Sequence, residues 1–169
     1  MWESMTVNNC NTYLIDGPTR VLIDPGHEHL FEHVLKGLEN LDLSIEDIGL
    51  VICTHAHPDH IEAVKLFKNT PLKQGEFSIN GLEFNVIHTP GHSPGSISLF
   101  MPEPKALFTG DVIFKEALGR TDLPGGSGKI LKESIKQLSE LEAEFLLSGH
   151  GEVVSENFDH VMRVWFNYI

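Results

Sequence analysis

Short apolar runs, some unbroken and some alternating with polar residues, divide the chain into strands, and three longer stretches carry apolar residues at helical spacing. Asn11 to Ile15 and Arg20 to Ile23 read as strands joined by Asp16-Gly17-Pro18, a hairpin from which Asp24-Pro25-Gly26 turns the chain away. Leu30, Val34, Leu35 and Leu38 predict an amphipathic helix from His29 to Leu38. Ser44 to Asp47 reads as a short capped turn before the buried strand Ile48 to Cys53, and Ile61 to Phe67 as a further helix. Two short strands are expected around Pro71 to Ile79. Asn80-Gly81 then signals a hairpin whose return strand is Leu82 to His88. Ser96 to Phe100 alternates again, Pro102 and Pro104 break it, and Lys105 to Thr109 runs as a strand into Gly110-Asp111. A helix over Lys129 to Leu141 places Ile130, Leu131, Ile135, Leu138 and Leu141 on one stripe; a core strand follows at Glu144 to Leu147. A last helix from about Glu156 carries Phe158, Val161, Met162, Trp165 and Phe166 as a core-facing stripe. Strand-rich halves closed by helices imply an α/β protein of two packed sheets with helices outside.

At 169 residues, 41% apolar and 21% charged, the chain suits a single domain with a sizeable core. Its formal charge of -12 argues against a nucleic-acid surface, which needs basic patches. No apolar run is long enough to cross a membrane, and Met1-Trp2-Glu3 lacks the basic start of a signal peptide, so a cytoplasmic location is expected. Cys10 and Cys53 form no C-x-x-C motif; Cys53 reads as a small core residue, although it shares strand parity with His55.

Candidate chemistry is concentrated in Thr54-His55-Ala56-His57-Pro58-Asp59-His60, at the end of the Ile48 to Cys53 strand. No pair in this cluster has the i, i+4 spacing of a helical zinc site. An extended continuation of the strand instead sets 55, 57 and 59 on one side and turns His60 elsewhere. Pro58 disfavours helix at His57 and suits a first helical turn, so Asp59 and His60 open the following helix. The segment is therefore suited to supply ligands to two neighbouring cations. More candidates recur downstream in Gly-flanked turns after apolar runs: Gly91-His92, Gly110-Asp111 and Gly149-His150-Gly151. Around the predicted first helix, His29 and His33 are four apart, a spacing able to grip a metal, with His27 beside them; all three read as solvated helix-face residues.

His-X-His-X-Asp-His, followed by a lone His, a lone Asp and a last His, resembles the metallo-β-lactamase superfamily from about Asn11 to Gly151. The resemblance implies a four-layered αββα sandwich of two mixed sheets. It also implies two divalent metal ions, zinc foremost and iron or manganese as alternatives. His55, His57 and His92 would hold one, Asp59, His60 and His150 the other, and Asp111 would bridge. Asp59 and Asp111 would then act in catalysis through a metal-bridging hydroxide, the attacking oxygen of a metal-dependent hydrolase. Gly110 to Phe114 with Gly119 to Gly126 is similar to the glyoxalase II group and to the related iron-dependent persulfide dioxygenases. A small thioester of a thiol conjugate is the expected substrate, with persulfide oxidation as the alternative. The helical C-terminal domain of full-length glyoxalase II is expected to be absent. Lys115, Arg120 and Lys129 are the cations near Asp111 in sequence; Arg120 suits either a substrate carboxylate or an internal pair with Asp122. Lactonase, lactamase and nuclease activities, or metal binding without catalysis, are further readings.

Two motifs compete with this picture. Gly91-His92-Ser93-Pro94-Gly95 fits G-x-S-x-G, but a nucleophile elbow needs a helix after the turn and a strand is predicted. Gly125 to Lys129 suggests a phosphate loop, but Leu123 stands where the first Gly belongs and Ile130 replaces the Ser/Thr.

Overall fold

The computed structural model describes residues 9–67, 76–156 and 158–168. The chain forms two compact units, with the break between Lys73 and Gln74.

In the first unit, β1 (Tyr13–Ile15), β2 (Arg20–Ile23) and β3 (Ile48–Ile52) form a sheet in that order. The β1/β2 hairpin is antiparallel, whereas β2 and β3 are parallel, with Ile23 opposite Ile52. The crossover between β2 and β3 carries α1 (Glu32–Glu39), preceded by a 3-10 turn at Glu28–Leu30, where a continuous helix from His29 was expected. Phe31, outside the predicted stripe, proves to be buried with Val34 and Leu38, and its ring meets Phe67 edge-on at 5.6 Å. Leu22, Val51 and Ala63 complete this core. Ser44 caps the turn before β3 as expected, its N–H and Oγ both donating to Asp47 Oδ2 at 2.9 and 2.8 Å. The helix expected over Ile61 to Phe67 is instead one α turn, α2 (Pro58–Ile61), then a 3-10 segment at Glu62–Leu66. Ile61, at φ −116°, leaves the α ladder, and the Ala63 N–H bonds the Gly26 carbonyl at 2.9 Å.

In the second unit, β4 (Glu76–Ile79), β5 (Leu82–His88), β6 (Ile97–Met101), β7 (Ala106–Gly110) and β8 (Phe145–Ser148) lie in sequence order. The first four are antiparallel neighbours; β7 and β8 are parallel. The expected hairpin turns at Asn80 and Gly81, both with positive φ, 49° and 89°, as a tight two-residue turn requires. Of the two short strands expected around Pro71 to Ile79, one is β4, and the part of that range before Glu76 lies outside the described residues. α3 (Gly128–Leu138) crosses from β7 to β8 and buries Leu131, Ile135 and Leu138. Ile130, expected on that stripe, is 41% exposed; Ser134 takes the buried position and donates to the Pro90 carbonyl at 2.6 Å. Burying Ile130 as well would need a face wider than α3 presents, since it lies about 100° around the helix from Leu131. α4 (Phe158–Tyr168) adds Phe158 and Met162 to the core, with Val161 and Trp165 packed against it. The Phe166 side chain lies outside the described residues.

Both sheets are mixed and both are accompanied by helices, so the fold class is α/β as predicted. Among the described residues, no helix is long and apolar enough to cross a membrane.

Candidate metal centre

In the first unit, parallel pairing of β2 and β3 ends both strands at the same level, so that the residues after Ile23 and Ile52 emerge side by side. Asp24, at φ 52° and only 2% exposed, joins the two exits. Its N–H bonds the Ile52 carbonyl at 2.9 Å. Its carboxylate accepts the Thr54 N–H at 2.7 Å, the Thr54 hydroxyl at 2.8 Å and His60 Nδ1–H at 2.9 Å. The single Thr54 hydroxyl proton is thus committed to Asp24. Thr54 Oγ1 can then only accept from His55 Nδ1, 3.1 Å away. Both rings are fixed in the tautomer that leaves Nε2 as the lone-pair nitrogen.

His55 Nε2 lies 3.0 Å from His57 Nδ1, and the His55 ring centroid is 4.6 Å from His57 and 4.1 Å from His60. Period-two alternation therefore stops at His57. His60 turns back toward His55 rather than elsewhere, because α2 begins at Pro58. Asp59 sits in the first turn of α2, with Oδ2 3.8 Å from His60 Nε2. Three buried or half-buried imidazoles and a carboxylate, with lone pairs converging at such spacings, are a nitrogen/oxygen donor set that suits a first-row divalent metal. Cys53 is no part of that set: burial pushes its thiol up to about 12, and its Sγ contacts the His60 carbonyl at 3.9 Å.

The second unit repeats the device. Parallel β7 and β8 pair Gly110 with Ser148, and the Gly149 N–H bonds the Gly110 carbonyl at 2.8 Å, which holds the two following turns together. Asp111 and His150 leave from those turns. Asp111 Oδ1 faces His150 Nε2 at 3.6 Å and Oδ2 faces His92 Nε2 at 3.5 Å, so one carboxylate spans two imidazoles. His92 Nδ1 donates to the Arg120 carbonyl at 2.8 Å, which again leaves Nε2 as the lone-pair atom. Two glycines make room for these contacts. At Gly91, with φ +132°, a Cβ would collide with the backbone of Leu131. At Gly119 it would collide with the Asp111 carbonyl.

The three cations named from sequence separate. Arg120 forms the bidentate internal pair with Asp122, at 2.7 and 2.6 Å, and this pair lowers the Asp122 carboxyl to about 2. Lys129 lies exposed on the first turn of α3. Lys115, paired with Glu152, lines a cavity of about 290 Å³ with Phe114, Ala117 and His150. Ser93 shares a hydrogen bond with Ser96 at 2.8 Å, and β6 follows the turn, so the strand–turn–helix elbow of a serine hydrolase is not formed. The functional residue missed in the sequence is Asp24, read there only as a turn former. Its signal was a carboxylate at the end of a buried strand, the same placement that marked the His cluster.

The sequence matches the profile of the metallo-beta-lactamase superfamily over residues 5–71 and 64–155, and the chain belongs to that superfamily. Its relatives there include a hydroxyacylglutathione hydrolase and several probable metallo-hydrolases. The chain is 29% identical to hydroxyacylglutathione hydrolase GloC of Haemophilus influenzae, over 85% of each chain. It is 34% identical to the probable metallo-hydrolase MJ0888 of Methanocaldococcus jannaschii, over 85% of this chain and 88% of that one. Among solved structures it is similar to TTHA1623 in a di-iron-bound form, with a TM-score of 0.72 and 31% identity, covering 86% of this chain and 89% of that one.

Proposed function

We propose that the chain is a metal-dependent hydrolase of small thioesters, with His55, His57 and His92 holding one divalent metal, Asp59, His60 and His150 a second, and Asp111 shared between them. The observation that carries this reading is the Asp111 carboxylate, which turns one oxygen toward His92 and the other toward His150. A divalent metal pair supplies Lewis acidity, which lowers the pKa of a water from about 15.7 to about 7 and polarises a carbonyl. Zinc and iron both suit the donor set, and the di-iron form of TTHA1623 supports iron.

The chain's own residues orient and exclude. Asp24 and Thr54 fix the tautomers of His60 and His55, and the Arg120 carbonyl fixes that of His92. Phe114 and Ala117 offer an apolar wall beside His150 for the non-reacting part of a substrate, and Lys115 brings a cation to the same cavity. In the reaction, water adds its oxygen to the acyl carbon, the C–S bond breaks, and a carboxylic acid and a thiol leave. A thiol, with a pKa of about 8.5, departs without a dedicated acid. Similarity to GloC supports the thioester class.

The test is hydrolysis of a panel of thioesters by the zinc- and iron-loaded proteins, with oxygen uptake on glutathione persulfide measured in parallel. Thioester turnover that falls about a thousandfold in Asp111→Ala, with metal lost, is the expected result. Iron-dependent oxygen consumption without thioesterase activity would overturn it in favour of a persulfide dioxygenase.

A further inference from the structure

Apart from the seven residues of the proposed centre, the first unit gathers a second group of ligand-type side chains around the exit from β2. Gly26, at φ +85°, reverses the chain where a Cβ would collide with the Asn9 side chain, and delivers His27 into the interior. His27 is 2% exposed, and its N–H donates to Asn9 Oδ1 at 2.8 Å. The 3-10 turn at Glu28–Leu30 then sets His29 beside it, ring centroids 4.8 Å apart. Two backbone bonds, Gly26 N–H to the His60 carbonyl and Ala63 N–H to the Gly26 carbonyl, tie this turn to the end of α2. Glu62 is thereby brought across, its Oε2 2.7 Å from His27 Nδ1. One ligand atom from each of His27, His29 and Glu62 lies within 4.8 Å of the others. His33, four residues after His29, turns its Nδ1 to the Leu30 carbonyl, to which it donates at 2.6 Å.

We infer that His27, His29 and Glu62 form an additional binding site for a first-row divalent cation, zinc being the best fit. Two imidazoles and a glutamate are a three-ligand zinc set that leaves a position for water or an outside donor. Ligand atoms sharing a tetrahedral zinc at about 2.0–2.1 Å lie roughly 3.4 Å apart. The group therefore closes on an ion through rotamer changes of His29 and Glu62, both exposed, while buried His27 stays as the anchor. Lys65, the nearby cation on the same segment as Glu62, is drawn to Glu28 and so does not occupy the Glu62 carboxylate. An ion pair between His27 and Glu62 alone would explain two of the three residues. His29 supplies the third donor atom, so its replacement separates a metal site from the His27–Glu62 contact.

The full chain, equilibrated with zinc chloride and freed of excess, is analysed for zinc per chain by mass spectrometry. Wild type is expected to hold one zinc more per chain than His29→Ala, and Asp111→Ala is expected to keep that ion while losing zinc elsewhere. His29→Ala preserves the His27–Glu62 bond, so its circular dichroism and its turnover should match wild type. In 15N-imidazole spectra, zinc should shift the ring nitrogens of His27 and His29 in wild type and leave His27 unshifted in His29→Ala. Equal zinc content in wild type and His29→Ala, or ring signals that do not respond to zinc, would overturn the assignment.

Discussion

Asp24 shows how much one side chain decides. It is buried, it accepts three hydrogen bonds, and through them it fixes two imidazole tautomers. Asp24→Ala would strand the Thr54 amide, the Thr54 hydroxyl and His60 Nδ1 without their acceptor. Each lost partner of a buried group costs about 1–3 kcal/mol, so with three such groups a loss of at least about 3 kcal/mol in urea denaturation is expected, with reduced metal content. Asp24→Asn keeps one oxygen for Thr54 but presents an amide to His60, and a smaller loss is expected. Asp122 offers a test by pH. Its bond to Arg120 lowers its carboxyl from an ordinary value of about 3.9 to about 2. The stabilising contribution of the pair is then complete above about pH 4 and disappears as pH falls through about 2. An NMR titration of the Asp122 carboxyl should show that low midpoint, and Arg120→Ala should return it to the ordinary range.

Among the elements, α3 separates what a hydrophobic pattern predicts from what packing uses. Ile135 is wholly buried and Ile130 is exposed over 41% of its surface, though both fell on the predicted stripe. Ile135→Ala should cost about 2–5 kcal/mol by thermal or chemical denaturation, and Ile130→Ala no more than about 0.5 kcal/mol. Gly91 packs so close to the backbone of α3 that a methyl group cannot be admitted, and its φ is unfavourable to any other residue. Gly91→Ala should lower the melting temperature and, by moving His92, reduce metal retention. The short α2 differs again. Its start at Pro58 was legible from the proline, but its end at Ile61 was not, because the backbone bond from Ala63 to Gly26 that stops it joins residues 37 positions apart.

For the molecule as a whole, strand positions, the Asn80-Gly81 turn and the dense His/Asp motif were readable because period-two alternation, turn chemistry and ligand clustering are local signals. Asp24, the His27–Glu62 contact and the partner of Arg120's carbonyl arise from crossovers and turns, and no local pattern records them. If the seven residues hold metals as proposed, chelation with EDTA should abolish turnover and lower the denaturation midpoint, and added zinc or iron should restore both. A final consequence follows from the two side-by-side strand pairs, β2 with β3 and β7 with β8. In each, the neighbour's backbone works as a gauge that sets how far the chain travels before it releases Asp24 beside Thr54, or Asp111 beside His150. Deleting one residue inside any of these four strands would reverse which side chains point inward and pull the release points out of step. Lengthening the connections that contain α1 or α3 at their exposed ends would leave the gauge untouched. Natural variation and engineered insertions should therefore accumulate in those connections and stop abruptly at the strands.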